Sequence, residues 1–155
     1  MPHVRSAARA LIVRDGHVLV IRNRDAEGDW FILPGGGQNH GEDLRATLVR
    51  ECREEVGAEV RVGRLRFVRE IVAANHGGAG MLPEGFHQVE HIFDCTLLGE
   101  ASCEAGHEPD ESQCGIEWTP PAELIERRFY PSALARRLVG ELTDGDPVYL
   151  GDTFD

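Results

Sequence analysis

Two apolar stretches, Arg9 to Arg14 and His17 to Arg22, flank the dipeptide Asp15-Gly16. Asp-Gly accepts the positive φ angles of a two-residue turn, so the pattern predicts an antiparallel hairpin. The charged run Asn23 to Asp29 predicts a loop, and Trp30 to Leu33 a short extended piece stopped by Pro34 and Gly35-Gly36-Gly37. The period then changes. Leu44, Leu48, Cys52 and Val56, with Val49 beside them, recur at helical spacing and predict a helix over Asp43 to Val56. Glu42 and Asp43 stand where the positive end of its dipole stabilises them, and Gly57 supplies the stop. Val60 to Val72 and Val89 to Leu98 read as strands. The Gly-rich connection Ala73 to Gly85 reads as surface, with closure over a ligand as the alternative. Gly99 to Gln113 is acidic and irregular. Ile116 to Thr119 predicts a further strand, Pro120-Pro121 open a short helix through Glu126, and Ser132 to Leu142 predicts a second helix after Pro131. No internal repeat or long linker interrupts this series, which predicts one α/β layered domain over 1–155 with mixed strands.

The polar side of the first helix carries the chemistry. At ~100° per residue, Glu51, Glu54 and Glu55 fall on one face, and Glu55 projects at the edge of the apolar stripe. Like charges at this spacing destabilise an isolated helix by roughly 0.2–0.5 kcal/mol, and partial desolvation raises the cost. Arg50, four residues before Glu54, pairs with it but does not neutralise three carboxylates. A hard divalent cation would, and oxygen-only ligands favour Mg²⁺ or Mn²⁺ over Zn²⁺.

Read outward from these residues, the segment is Gly36, Glu42, Arg50-Glu51-Cys52, Glu54-Glu55 and Gly57-Ala58. It resembles the signature of the Nudix hydrolase (MutT-like) family, G-x5-E-x7-R-E-U-x-E-E-x-G-U with U a bulky aliphatic, and every Gly, Glu and Arg is in register. The preceding Trp30-Phe31-Ile32-Leu33-Pro34-Gly35 is also similar to the family's approach to its motif. Cys52 and Ala58 depart from the pattern, being smaller than the usual Ile, Leu or Val; both stay apolar, so packing is altered and the ligands are not.

The resemblance implies a Nudix α/β/α sandwich with a mixed sheet, and hydrolysis of a phosphoanhydride bond in a nucleoside diphosphate linked to another group. A pyrophosphate repels an attacking nucleophile, so charge neutralisation and positioning come first. Glu51, Glu54 and Glu55 are the expected metal ligands, with Glu51 and Glu55 dominant. Arg50 orients a carboxylate. Gly35, Gly36 and Gly37 bring the main chain close to the substrate, Glu42 braces the loop, and Arg22 is a candidate phosphate or ribose contact beside Arg24. A carboxylate must accept the proton of the attacking water: Glu54 is the choice within the motif, and Glu90, Glu108 and Glu111 are candidates outside it. Packing and partner roles are the expectation for His87, His91, Phe31, Phe129 and Tyr130, with phosphate or base contact as the alternative. A nucleotide sensor of the same fold that does not turn over is the competing function.

Composition limits the partners. A formal net charge of −11 disfavours a nucleic acid duplex as ligand and favours a small nucleotide held through a cation. At 155 residues and 41% apolar, the chain suits one adequate core. No stretch predicts a membrane span or a secretory signal, so cytoplasmic residence is the expectation. Cys52, Cys95, Cys103 and Cys114 form no C-x-x-C pair, and Cys103, His107 and Cys114 fit no zinc spacing. Pairing into a homodimer is compatible with all of this.

Overall fold

At the predicted hairpin Asp15 takes φ 51° and Gly16 φ 75°. Val13 faces Val18 and Arg14 faces His17 in antiparallel register. The computed structural model describes residues 2–77, 82–102 and 113–154. Its strands are β1 (Arg5–Arg14), β2 (His17–Asp25), β3 (Gly28–Ile32), β4 (Gly35–Gly37), β5 (Glu59–Val72), β6 (His87–Leu98), β7 (Gln113–Thr119) and β8 (Tyr149–Asp152). Its helices are α1 (Leu44–Val56), α2 (Pro121–Ile125) and α3 (Ser132–Val139).

The main path of the sheet runs β3-β2-β1-β6-β5-β8, with β7 on β2 and β4 on β1. It is mixed: β1 runs parallel to β6 and β5 parallel to β8, and the other pairs are antiparallel. β1 is the hub. One edge of it takes β6 from Arg5 to Ile12, while the other edge forks, holding β4 at Ala7–Arg9 and β2 at Val13–Arg14.

Alternation along β1 sends side chains into two cores. Ala8, Ala10 and Ile12 meet Leu48, Cys52 and Val56 of α1, with Phe93 and Cys95 of β6. On the opposite face Leu11 joins Ile92, Phe67 and Phe31 beneath Leu124 of α2 and Leu134 and Leu138 of α3. Helices therefore cover both faces, the expected α/β/α sandwich. Cys52 and Cys95 are free, buried thiols. Burial pushes both thiols up, Cys95 to about 12.

Several boundaries differ from the sequence expectation. The loop expected over Asn23 to Asp29 is mostly strand: β2 continues to Asp25 and β3 starts at Gly28. Opposite charges meet across that pair, since Arg24 faces Asp29 and bonds it at 2.7 Å. The three glycines expected as a stop form β4. β8 was not anticipated, and α3 ends at Val139, short of Leu142. Within Ala73 to Gly85, Ala73–His76 is a 3₁₀ turn. Cys103, His107, Glu108 and Glu111 lie outside the described residues. Among the described residues no helix is long and apolar enough to cross a membrane.

Candidate active site

Two caps fix the frame of α1. Asp43 accepts a hydrogen bond from the Ala46 amide at 2.8 Å, and Gly57 ends the helix at φ 63°. Within that frame, Arg50 reaches four groups. Its Nη2 donates to Glu42 Oε1 at 2.7 Å and its Nε to Glu42 Oε2 at 3.1 Å, a two-pronged grip. It also donates to Glu51 Oε1 at 2.9 Å, Glu54 Oε2 at 3.3 Å and the Gly37 carbonyl at 3.0 Å. Arg50 thus ties the acidic face to the glycine turn.

Glu42 is the brace the sequence suggested. Besides Arg50 it accepts bonds from the Asn39 amide at 2.8 Å and the Thr47 hydroxyl at 3.0 Å. Arg50, aided by those two donors, holds its carboxyl down at about 2 despite partial burial.

Glu55 is in the opposite condition. It is 9% exposed, and the Gly35 amide donates to its Oε2 at a long 3.4 Å. Burial pushes its carboxyl well above the usual carboxylate range; the charge of Arg9 opposes this, and Glu51 adds to it. Glu51 in turn lies against Gly36, where a Cβ would stand 2.5 Å from its Oε1. The bare glycine is needed there. Gly35 has φ 141°, and a Cβ on it would run into the Ala8 carbonyl oxygen across the β1–β4 pair.

Beneath the turn lies a network that sequence reasoning did not find. Arg9 donates to the carbonyls of Gly35 at 2.8 Å and Leu33 at 3.2 Å, and to Glu90 at 3.1 Å. Glu90 is 3% exposed and also takes Arg69 at 3.2 Å and Gln88 at 3.0 Å. Glu90, a candidate proton acceptor from the sequence, is instead a buried carboxylate held by two arginines and a glutamine. Burial raises its carboxyl, but the two arginines and Gln88 bring it below the usual value, which makes it a weak proton acceptor. The available signal was Arg9, a charge alone in the apolar run Ala7 to Val13.

The remaining candidates sit elsewhere. Arg22 lies over Gly115 and pairs with Glu117 at 3.6 Å, on the β2–β7 side. His87 meets Glu70 at 3.4 Å and His91 the Ala7 carbonyl at 3.0 Å. Phe31 and Phe129 are core residues, whereas Tyr130 is half-buried.

Among the described residues no three His, Cys, Asp or Glu groups stand close enough together to hold a metal ion. Glu51 and Glu54 lean on Arg50 instead. The donors nonetheless suit a hard cation. They are all carboxylate oxygens, and Glu55 is a buried acid beside a second acid, the arrangement that a divalent ion relieves.

A mixed sheet between helices, with a glycine strand feeding an acid-faced helix, defines the Nudix class of hydrolase. The NUDIX domain profile matches residues 3–138, and the chain belongs to that family. It is 37% identical over 78 residues to nucleoside diphosphate-linked moiety X motif 6 of Xenopus laevis, a match covering 50% of this chain and 35% of that protein. It is 29% identical over 125 residues to the nucleoside triphosphatase NudI of Salmonella agona, covering 77% and 84%. The crystal structure of a MutT NUDIX hydrolase from Burkholderia pseudomallei superposes with TM-score 0.68 at 27% identity, over 89% of this chain and 99% of that one.

Proposed function

We propose that this protein hydrolyses a phosphoanhydride bond in a small nucleoside diphosphate linked to another group, with Mg²⁺ or Mn²⁺ held by Glu51, Glu54 and Glu55. The observation that carries this reading is the buried Glu55 carboxyl against Glu51, facing a strand of bare glycine. When bound, the divalent ion supplies charge neutralisation at the pyrophosphate and polarises the attacking water.

The chain's own residues do the rest. Arg50, gripped by Glu42, sets the rotamers of Glu51 and Glu54. Gly36 leaves Glu51 the space it occupies, and the Gly35 amide orients Glu55. Glu54 keeps about a third of its side chain exposed, at 32%, and among the described residues its bond is a long one to Arg50, which leaves it able to accept the proton of the attacking water. The names of the relatives, one concerned with nucleoside diphosphate-linked compounds and one with nucleoside triphosphates, support a small nucleotide substrate.

Purified protein is incubated with Mg²⁺ or Mn²⁺ and a panel of nucleoside triphosphates, nucleotide sugars, ADP-ribose and dinucleoside polyphosphates. Release of a monophosphate or pyrophosphate that is lost in Glu54→Gln and Glu55→Gln is the expected result. Turnover indifferent to both substitutions would refute the site. Tight binding by calorimetry without product would instead mark a nucleotide sensor.

A further inference from the structure

Trp30 on β3, Tyr130 ahead of α3 and Phe154 after β8 come from distant parts of the chain, yet their rings meet. Tyr130 and Phe154 stack with centroids 5.0 Å apart at 20°, and Trp30 meets Tyr130 edge-on at 6.1 Å and 65°. His76 lies 6.2 Å from Phe154. All four rings are half-buried, and none belongs to either core cluster. Their sequence neighbours Phe31 and Phe129 are 6% and 1% exposed, so the chain had apolar room beside them and did not use it for these rings.

The tail bearing Phe154 is built, not frayed. Here the Thr153 amide donates to the Glu70 carbonyl at 3.0 Å, and the Thr153 carbonyl accepts from Arg69 at 2.8 Å. Asp152 accepts from the Val72 amide, Asn75 and His76 at 2.8–2.9 Å. These bonds fix the backbone that leads into Phe154.

Arg69 also connects this group to the catalytic turn. It pairs with Glu90 at 3.2 Å, Glu90 with Arg9 at 3.1 Å, and Arg9 with the Gly35 carbonyl at 2.8 Å. These bonds tie the tail that carries Phe154 to the backbone of the glycine turn.

We propose that Trp30, Tyr130 and Phe154 seat the planar base of the nucleotide substrate. Flat π-faces left partly in water recognise a heteroaromatic ring by stacking, a mode tolerant of base identity. The inference rests on the nucleotide pyrophosphohydrolase reading and adds the residues that would hold the base.

The test uses Trp30 as its own reporter. In a Trp118→Phe background, emission is titrated with AMP, GMP, CMP and UMP, and with ribose 5-phosphate as the probe without a base. Saturable quenching by at least one nucleotide and not by ribose 5-phosphate is expected. Phe154→Ala should weaken that nucleotide about five- to hundredfold with an unchanged melting midpoint, and Phe154→Tyr should restore it. Equal responses to AMP and ribose 5-phosphate, or affinity indifferent to Phe154→Ala, would overturn the proposal. The two readings separate cleanly. Hydrolysis that depends on Glu54 and Glu55 but not on Phe154 sinks this inference alone, and ring-dependent binding without any hydrolysis sinks the catalytic reading alone.

Discussion

Glu42→Gln isolates the brace of the site from its chemistry. The amide keeps the size of the side chain and one carbonyl oxygen for Asn39 and Thr47, but it presents an NH₂ group to the guanidinium of Arg50. Held at about 2 instead of its usual 4.5, the Glu42 carboxyl stabilises the folded state by about 3 kcal/mol at neutral pH. Its side chain is 17% exposed, and solvent screening lowers this to about 2 kcal/mol. In a domain of this size that corresponds to a fall of about 4–8 °C in melting midpoint. The sign follows from the depressed pKa: the contribution is present in full above 4.5 and is lost as pH falls through about 2. Urea unfolding of wild type and Glu42→Gln at pH 7, 4 and 3 should therefore show a gap that narrows to about half by pH 3. A gap below about 0.5 kcal/mol at pH 7, within the range of ordinary surface substitutions, or one constant across this pH range, would refute the reasoning.

Other substitutions test the remaining parts. Glu55→Gln replaces a carboxyl whose charged form burial disfavours, so the metal-free protein should melt about 2–4 °C higher while its stabilisation by Mg²⁺ disappears, both read by thermal scans with and without Mg²⁺. Gly36→Ala drives a methyl group into the Glu51 carboxylate, and because that side chain can swing away the expected loss is about tenfold in Mn²⁺ affinity by titration calorimetry with stability changed by less than about 1 kcal/mol. Glu90→Ala leaves Arg9 and Arg69 buried without their carboxylate and should cost about 3–5 kcal/mol in urea unfolding.

How far the sequence revealed this protein depended on the range of the interactions involved. Helix α1, its glycine stop and its acidic face were readable because periodicity and charge spacing act within a few residues, as Arg50 on Glu54 shows, while Asp43, expected inside the helix, caps it instead. The hairpin was readable for the same reason. The role of Arg9 was not: its partners lie 24, 26 and 81 residues away, and only the parallel register of β1 with β6 brings Glu90 into reach. The loop expected at Asn23 to Asp29 failed because cross-strand pairing of Arg24 with Asp29 outweighed the polar composition. β8 was missed since a four-residue strand gains its order from β5 and carries little pattern of its own.

The fork in β1 has a consequence for motion. Glycine is the most pliable residue of an unfolded chain, yet Gly35, Gly36 and Gly37 are stitched to Arg9, Ala8 and Ala7, with Pro34 and Gln38 bonded to Ala10 and Ser6 on either side. Amide protons of this segment should outlast those of the surface loops in deuterated buffer, protected like the central strand itself. Pliability needed to admit a substrate then has to come from the surroundings, while the backbone beneath the acids stays as stiff as the sheet.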